Sequence, residues 1–405
     1  MLSSQHRELV KATVPVLREH GVALTSHFYR RMFSHNPELK HVFNQAKQEA
    51  GQQQQALALA VLGYAEHIDD PSVLAPVVMR IAHKHVGLGI RAEHYPIVGH
   101  HLLSSISEVL GEAASDELLE AWRLAYGQLA DLLIGAEQQL YTDGALSRGG
   151  WSGVRSFTVT RKVAESSEIT SFYLSPSDKG AVPGFRPGQY ITLKRFVPEL
   201  GLLQPRQYSL SDAPGQDYLR ISVKREPGNG STPAGRISNL LHDTVHEGDQ
   251  LELAPPGGDF FLHEERSTPV VLISGGVGVT PMIAMLNHLV LTRSPRRVAF
   301  VHGCRNGAVH AMKRHVNQLA AECDNVSKVV FYEEVGAEDR LGEDYDQQGR
   351  VDLGAVREQV LLPDADYYLC GPLAFMLAQR DWLLAAGVDG GRIHYEVFGS
   401  HTIAG

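Results

Sequence analysis

The sequence predicts a multidomain chain of three structural classes in series: an all-α segment, a small antiparallel β-barrel and a doubly wound α/β sheet. Three observations carry this. Apolar residues recur at helical spacing from residue 3 to about 141, with few strand-like runs. Period-two runs then appear between Gly, Pro and Asp turns: "SFTVTRKV", "ITSFYLSP", "QYITLKRF", "RQYSLSD" and "YLRISVKRE". From "PVVLISGG" onward, buried strand-like runs ("RVAFVHG", "KVVFYEE", "DYYLCGP") alternate with helical segments, as in a parallel sheet covered on both faces.

Composition fits this division. A chain of 405 residues exceeds what one hydrophobic core comfortably supports. Hydrophobic residues at 43% and charged residues at 20% are ordinary for a globular protein, and 39 glycines supply tight turns and close backbone approaches. A formal net charge of -9 argues against a nucleic-acid partner, whose binding needs clustered Lys and Arg. The amino terminus lacks the layout of a signal peptide, and no apolar run approaches the ~20 residues needed to cross a bilayer, so a cytoplasmic protein without membrane insertion is expected. Cys304, Cys323 and Cys370 are too few and too widely spaced for a disulfide framework.

In the helical third, Asp70-Pro71, Tyr95-Pro96 and Ser115-Asp116 mark helix starts. The stretch "VVMRIAHKHVGLGI", residues 77–90, holds two histidines. At about 100° per residue His85 shares the apolar stripe of Leu74, Val78, Ile81 and Ala82, whereas His83 points away and is expected at the solvated surface. A lone histidine on an apolar face is usually a satisfied core residue. Yet "FYRRMF", "LKHVFN" and "QQQQALALAVLGYAEH", followed by His85 within an all-helical segment, resemble the globin pattern. That resemblance implies His85 as the proximal haem ligand and the site's metal ligand, with Phe43 wedged against the haem. It also implies Tyr29 above the iron, and Gln53 and Leu57 on the next distal helix, with Tyr29 and Gln53 donating to bound dioxygen. On the proximal side, Tyr95 and Glu137 are candidates to reach His85 and strengthen it as a donor. Lys84 is either a solvated neighbour or a residue that tunes both redox centres.

"RQYSLSD" holds Arg206, Gln207, Tyr208 and Ser209 on a strand, "RPGQYITL" brings Tyr190 on its neighbour, and "GRISNLLHD" offers Ser238 as a helix cap. These three elements, in that order, resemble the FAD domain of the ferredoxin-NADP reductase family. The resemblance implies Arg206 and Ser238 on the pyrophosphate, Tyr208 on the isoalloxazine and Ser209 near its N5. "VVLISGGVGVTPMIAML" is a strand, a glycine turn and a helix, where Gly275, Gly276, Val277, Gly278, Val279 and Thr280 can cradle a dinucleotide pyrophosphate. "YYLCGPLAFM" places Cys370 on the nicotinamide side. Near the carboxyl terminus Glu396, Val397, Phe398, Gly399 and Ser400 stand where the family closes an aromatic over the flavin, with Ser400 in place of the usual Pro. Arg305, after the second strand, has two readings: a partner for a 2′-phosphate, or a stack on adenine.

Together these parts resemble flavohaemoglobin over the whole chain: a globin haem domain at 1–146, an FAD-binding β-barrel domain at 147–265 and an α/β doubly wound NAD(P)-binding domain at 266–405. The resemblance implies heme b, FAD and NADH or NADPH as cofactors. It implies a nitric oxide dioxygenase that detoxifies NO with O2 to nitrate, its haem re-reduced by NAD(P)H through FAD, and a monomer whose distal pocket admits a lipid chain. The rival reading is an oxygen-binding or sensing haemoglobin with an auxiliary reductase.

Overall fold

A computed structural model describes residues 2–229 and 233–398. The first part is helical throughout: α1 (Ser4–Ala12), α2 (Val14–His35), α3 (Gln45–Glu49), α4 (Gln52–Glu66), α5 (Ala75–Leu88), α6 (His94–Leu110) and α7 (Asp116–Leu146). Local chemistry explains the breaks. Gly51, at φ 71°, turns the chain sharply between α3 and α4, a conformation that costs a glycine nothing. Pro76 opens α5, and Gly89 in the left-handed region closes it. Ser115 caps α7 by accepting from the Leu118 N–H at 3.2 Å, with Asp116 and Glu117 at the positive end of the helix dipole. Phe28, Met32, Tyr64, Ile68 and Trp122 fill the core between these helices.

The second part comprises β1 (Arg155–Ala164), β2 (Ile169–Pro176), β3 (Tyr190–Val197), β4 (Leu202–Ser209), β5 (Leu219–Lys224), α8 (Arg236–Thr244) and β6 (Gln250–Leu253). The antiparallel strands run in the order β4-β3-β6-β1-β2-β5. Beyond β4, Leu210 bridges to Ile221 and draws the two edges together into a barrel. Its interior is apolar, led by Phe157, Phe172, Leu193 and Leu253.

The third part comprises β7 (Val270–Gly275), α9 (Val279–Leu291), β8 (Val298–Cys304), α10 (Lys313–Glu322), β9 (Val326–Tyr332), β10 (Gln347–Gln348), α11 (Arg357–Val360), β11 (Asp366–Cys370), α12 (Leu373–Ala385) and β12 (Ile393–Glu396). Its parallel order is β10-β9-β8-β7-β11-β12, and β7, buried at every position, is central. Consecutive strands run outward from β7 in one direction and then return to its other side at β11. The carboxyl ends of β7 and β11 therefore flank the crevice where such sheets bind ligands.

The helical part sits directly on the barrel. Gly87 of α5 lies so close to Thr192 of β3 that a Cβ there would fall inside van der Waals contact with the threonine hydroxyl. Lys194 donates to the Leu88 carbonyl at 2.9 Å, and Arg80 pairs with Asp259 at 3.1 Å. His83, expected at the solvated surface, is instead half-buried in this joint. Its Nδ1 accepts from the Gly258 N–H at 3.2 Å, and burial lowers its pKa. Helical phase placed it opposite His85 correctly, but the face opposite the helical core is the one the barrel covers.

Candidate functional site

The last turn of α5 aims His85 into the helical part. Its Nδ1 donates to Oε1 of Glu137 at 2.7 Å, and the Tyr95 hydroxyl donates to the same oxygen at 2.5 Å. Glu137, on α7, is 2% exposed and Tyr95, at the start of α6, is 7% exposed. Burial, and next the bond to Glu137, push the Tyr95 hydroxyl far above its usual range, so it stays protonated and a donor. With Nδ1 committed, Nε2 is the ring's free acceptor. The described residues contain no cluster of three or more His, Cys, Asp or Glu able to hold a bare ion. A single oriented imidazole in apolar surroundings therefore fits an iron whose equatorial ligands arrive with it, as in haem.

The residues expected on the opposite side of the haem lie on α2, α4 and the segment between them. Tyr29 is 7% exposed, and burial raises its hydroxyl well above the ordinary range. Phe43 meets its ring edge-on at 5.9 Å, and Leu57 packs half-buried against the same core. Gln53 accepts from the Gln48 amide at 2.8 Å, and Gln48 lies near enough to the Tyr29 hydroxyl to oppose the rise that burial causes. Gln48 is one site residue that the sequence does not single out. It lies on five-residue α3, whose polar sequence reads as surface, but the Gly51 turn folds that helix back beside α4.

On the barrel, β3 and β4 pair in register with Tyr190 opposite Ser209, Thr192 opposite Gln207 and Leu193 opposite Arg206. Among the described residues the buried Tyr190 hydroxyl and Thr192 hydroxyl lack hydrogen-bond partners. Burial drives the Tyr208 hydroxyl up and the Arg206 guanidinium down. Arg206 lies in the field of Arg236, and Lys47 lies in the fields of Lys84 and Arg206. Burial, with that repulsion, pushes Lys47 down to about 8. Arg236 is paired with Glu49 at 3.3 Å and Lys47 feels Glu396, yet the group keeps a cationic excess around buried Arg206, and two orphaned hydroxyls need acceptors or donors; a flavin dinucleotide supplies both. Lys47 and Arg236 went unread in the sequence because each lies in a polar stretch with no motif. Ser238 does not cap α8. Gly235 is the N-cap, and Ser238, one turn in, donates to the Gly235 carbonyl at 3.1 Å, because the helix begins three residues earlier than its hydroxyl would require.

In the third part, Gly275 ends β7, Gly276 (φ 55°), Val277 and Gly278 form the turn, and Val279 and Thr280 start α9. A Cβ at Gly278 would collide with the Cys370 carbonyl, so the turn packs directly on the end of β11. The Thr280 hydroxyl, expected to face a pyrophosphate, donates to the Val277 carbonyl at 3.0 Å in the chain alone and closes the turn. Cys370 is fully buried, which raises its thiol, and it pairs in register with Glu396 on β12. Burial raises the Glu396 carboxyl to about 7, against the opposing field of Lys84. Val397 is half-buried, and Phe398, expected against the flavin, is 47% exposed in the chain alone. Gly399 and Ser400 lie outside the described residues. Arg305 forms an ion pair with Glu168 of the barrel.

Fold and site together define a globin joined to a flavin- and dinucleotide-binding reductase. Family models described as Globin, Oxidoreductase FAD-binding domain and Oxidoreductase NAD-binding domain match residues 26–133, 156–262 and 272–381. The chain is 64% identical to the flavohemoprotein of Bordetella parapertussis over all of both chains, and 65% identical to that of Chromobacterium violaceum over 99% of each. Crystallographic flavohemoglobin of Malassezia yamatoensis, with bound FAD and heme, superposes with a TM-score of 0.85 at 28% identity over 98% of this chain and 100% of that one. The FAD/NAD-binding domain of the nitric oxide dioxygenase of Vibrio cholerae matches 60% of this chain and 98% of its own, at 42% identity and a TM-score of 0.54. The chain belongs to the flavohemoprotein family. No helix among the described residues is long and apolar enough to cross a membrane.

Proposed function

We propose that the protein is an NAD(P)H-dependent nitric oxide dioxygenase, joining NO and O2 to form nitrate, with haem b, FAD and NADH or NADPH as cofactors. The observation that carries this reading is the joint: the helix bearing His85 is seated against the strand bearing Tyr190 and Thr192, without room for a side chain at Gly87. That contact suits electron delivery from a flavin to an iron. Its support from relatives is the flavohemoprotein family itself, and the name nitric oxide dioxygenase carried by the Vibrio cholerae protein.

When bound, the cofactors supply hydride acceptance, single-electron delivery and a site for diatomic gases. The chain supplies the rest. Glu137 fixes the tautomer and orientation of His85 and makes Nε2 a stronger donor, while the Tyr95 hydroxyl holds the carboxylate in place. Across the pocket, Tyr29 offers a buried hydroxyl donor to a partly anionic gas ligand, with Gln53 and Gln48 setting its direction. Arg206, with Arg236 beside it, would hold the flavin pyrophosphate, Lys47 and Lys84 would stand on the Glu396 side of the flavin, and Tyr208 would give the ring an apolar wall. The backbone amides of the Gly275–Gly278 turn and the start of α9 receive the nicotinamide dinucleotide. Cys370 and Glu396 line the edge where the two rings would meet. We assign the reaction to the cytoplasm, where NAD(P)H is regenerated.

The test is stoichiometric. Because a hydride carries two electrons and each turnover returns one to the iron, about two NO should disappear and two nitrate form per NAD(P)H oxidised. Protein that binds O2 reversibly but leaves NO unconsumed is an oxygen store or sensor, and the proposal fails.

A further inference from the structure

We propose that Gln204 is the positioning residue that fixes the haem-side corner, residues 40–45, against the flavin-side strand β4, and thereby sets how fast electrons cross between the two halves. This rests on the haem and flavin assignments above.

Gln204 comes from the barrel yet serves the helical part. It is 1% exposed. Its Oε1 accepts from the Gln45 N–H at 2.9 Å, and its Nε2 donates to the Leu203 carbonyl at 2.8 Å with longer contacts, 3.4 Å, to the carbonyls of Lys40 and Phe43. Gln45 turns its own amide onto those two carbonyls, at 3.1 and 3.3 Å. The corner backbone is thus held between two glutamine amides, one from each part of the chain. The Leu203 N–H adds a bond to His41 Nδ1 at 3.1 Å.

Its place in the chain gives this clasp its function. Two residues farther along β4 is Arg206, followed by Gln207, Tyr208 and Ser209 at the flavin site. On the other side of the clasp, Phe43 meets Tyr29 at 5.9 Å and Phe33 at 5.4 Å. Asn44 then caps α3, which carries Lys47 and Gln48. One buried amide therefore ties the strand that holds the flavin to the corner that borders the haem. Its donors and acceptor match backbone groups that a hydrocarbon cannot satisfy, and a lost bond leaves the Gln45 N–H buried without an acceptor.

The test uses holoprotein with Gln204→Leu and Gln204→Glu. Rapid mixing with NADH follows flavin reduction and haem reduction separately, and amide exchange follows the Gln45 N–H. Flavin reduction should keep its rate, haem reduction should slow by about tenfold in the leucine variant, and exchange at Gln45 should speed up by about tenfold. Gln204→Glu keeps the acceptor for Gln45 but turns an anion toward three carbonyls, so haem reduction should again slow while flavin reduction does not, and it decides the matter if the leucine variant does not fold. Unaltered haem reduction, unaltered Gln45 exchange, or equal slowing of both reduction steps would overturn the proposal. Failure of the unsubstituted protein to take up haem or FAD would instead defeat the functional reading beneath it.

Discussion

Oε1 of Glu137 stands 2.7 Å from Nδ1 of His85, with the Tyr95 hydroxyl on the same oxygen. A carboxylate accepting the proximal N–H gives the imidazole partial anionic character and stabilises the more oxidised iron. Glu137→Gln keeps the volume but removes the charge. The iron's reduction potential should rise, and turnover should fall by about ten- to a hundredfold, the usual range for losing an outer partner of a ligating histidine. Redox titration followed through the Soret band reads the first effect, and an unmoved potential would show that Glu137 does not tune the iron.

Tyr29 is the buried residue proposed to face the bound gas. Tyr29→Phe leaves ring packing against Phe43 intact while removing a hydrogen bond worth roughly 1 to 2 kcal/mol to a bound ligand. Oxygen should leave about tenfold faster, as measured by displacement with carbon monoxide. Gln48→Ala should produce a smaller increase, since it orients that hydroxyl without being the principal donor.

Stability should carry a pH signature from Glu396. Its folded value of about 7 lies above its ordinary 4.5. Between those values the folded chain retains a proton that the unfolded chain has released, so this contribution, full below about 4.5, is lost as pH rises through 7. Urea midpoints of the unliganded protein between pH 5 and 8 should fall more steeply than those of Glu396→Gln. Parallel curves would exclude it.

Gly278→Ala should damage the dinucleotide site alone. The added methyl meets the Cys370 backbone carbonyl, which cannot rotate away, so the turn must lift from β11. We expect a stability cost of about 1 to 3 kcal/mol from overpacking and a raised Kd for NADH, with the haem spectrum unchanged. Calorimetric NADH binding as tight as in the unsubstituted protein would contradict this.

Sequence patterning revealed what is periodic or local. The phase of α5 singled out His85, strand alternation outlined the barrel, and the glycine turn marked the start of α9. Motif likeness supplied Tyr95 and Glu137, whose meeting on one oxygen no spacing could have shown. What escaped depends on contacts between distant segments. Gln48 and Lys47 sit in a short polar helix that looks solvated until the Gly51 turn is known. His83 looks exposed until the barrel covers its face, and Ser238 looks like a cap until the true helix start at Gly235 is seen. Gln204 has nothing in its neighbourhood to distinguish it from any strand glutamine.

The contact at Gly87 leaves no room for a shim between the helix that carries His85 and the strand that carries Tyr190. The segment between them adds to that seat: Trp151 donates to the Leu253 carbonyl of the barrel at 3.1 Å, and Arg91 of the helical part donates to Ser152 at 3.1 Å. Exchange of modules between related chains should then succeed only where positions 87 and 192 stay small as a pair.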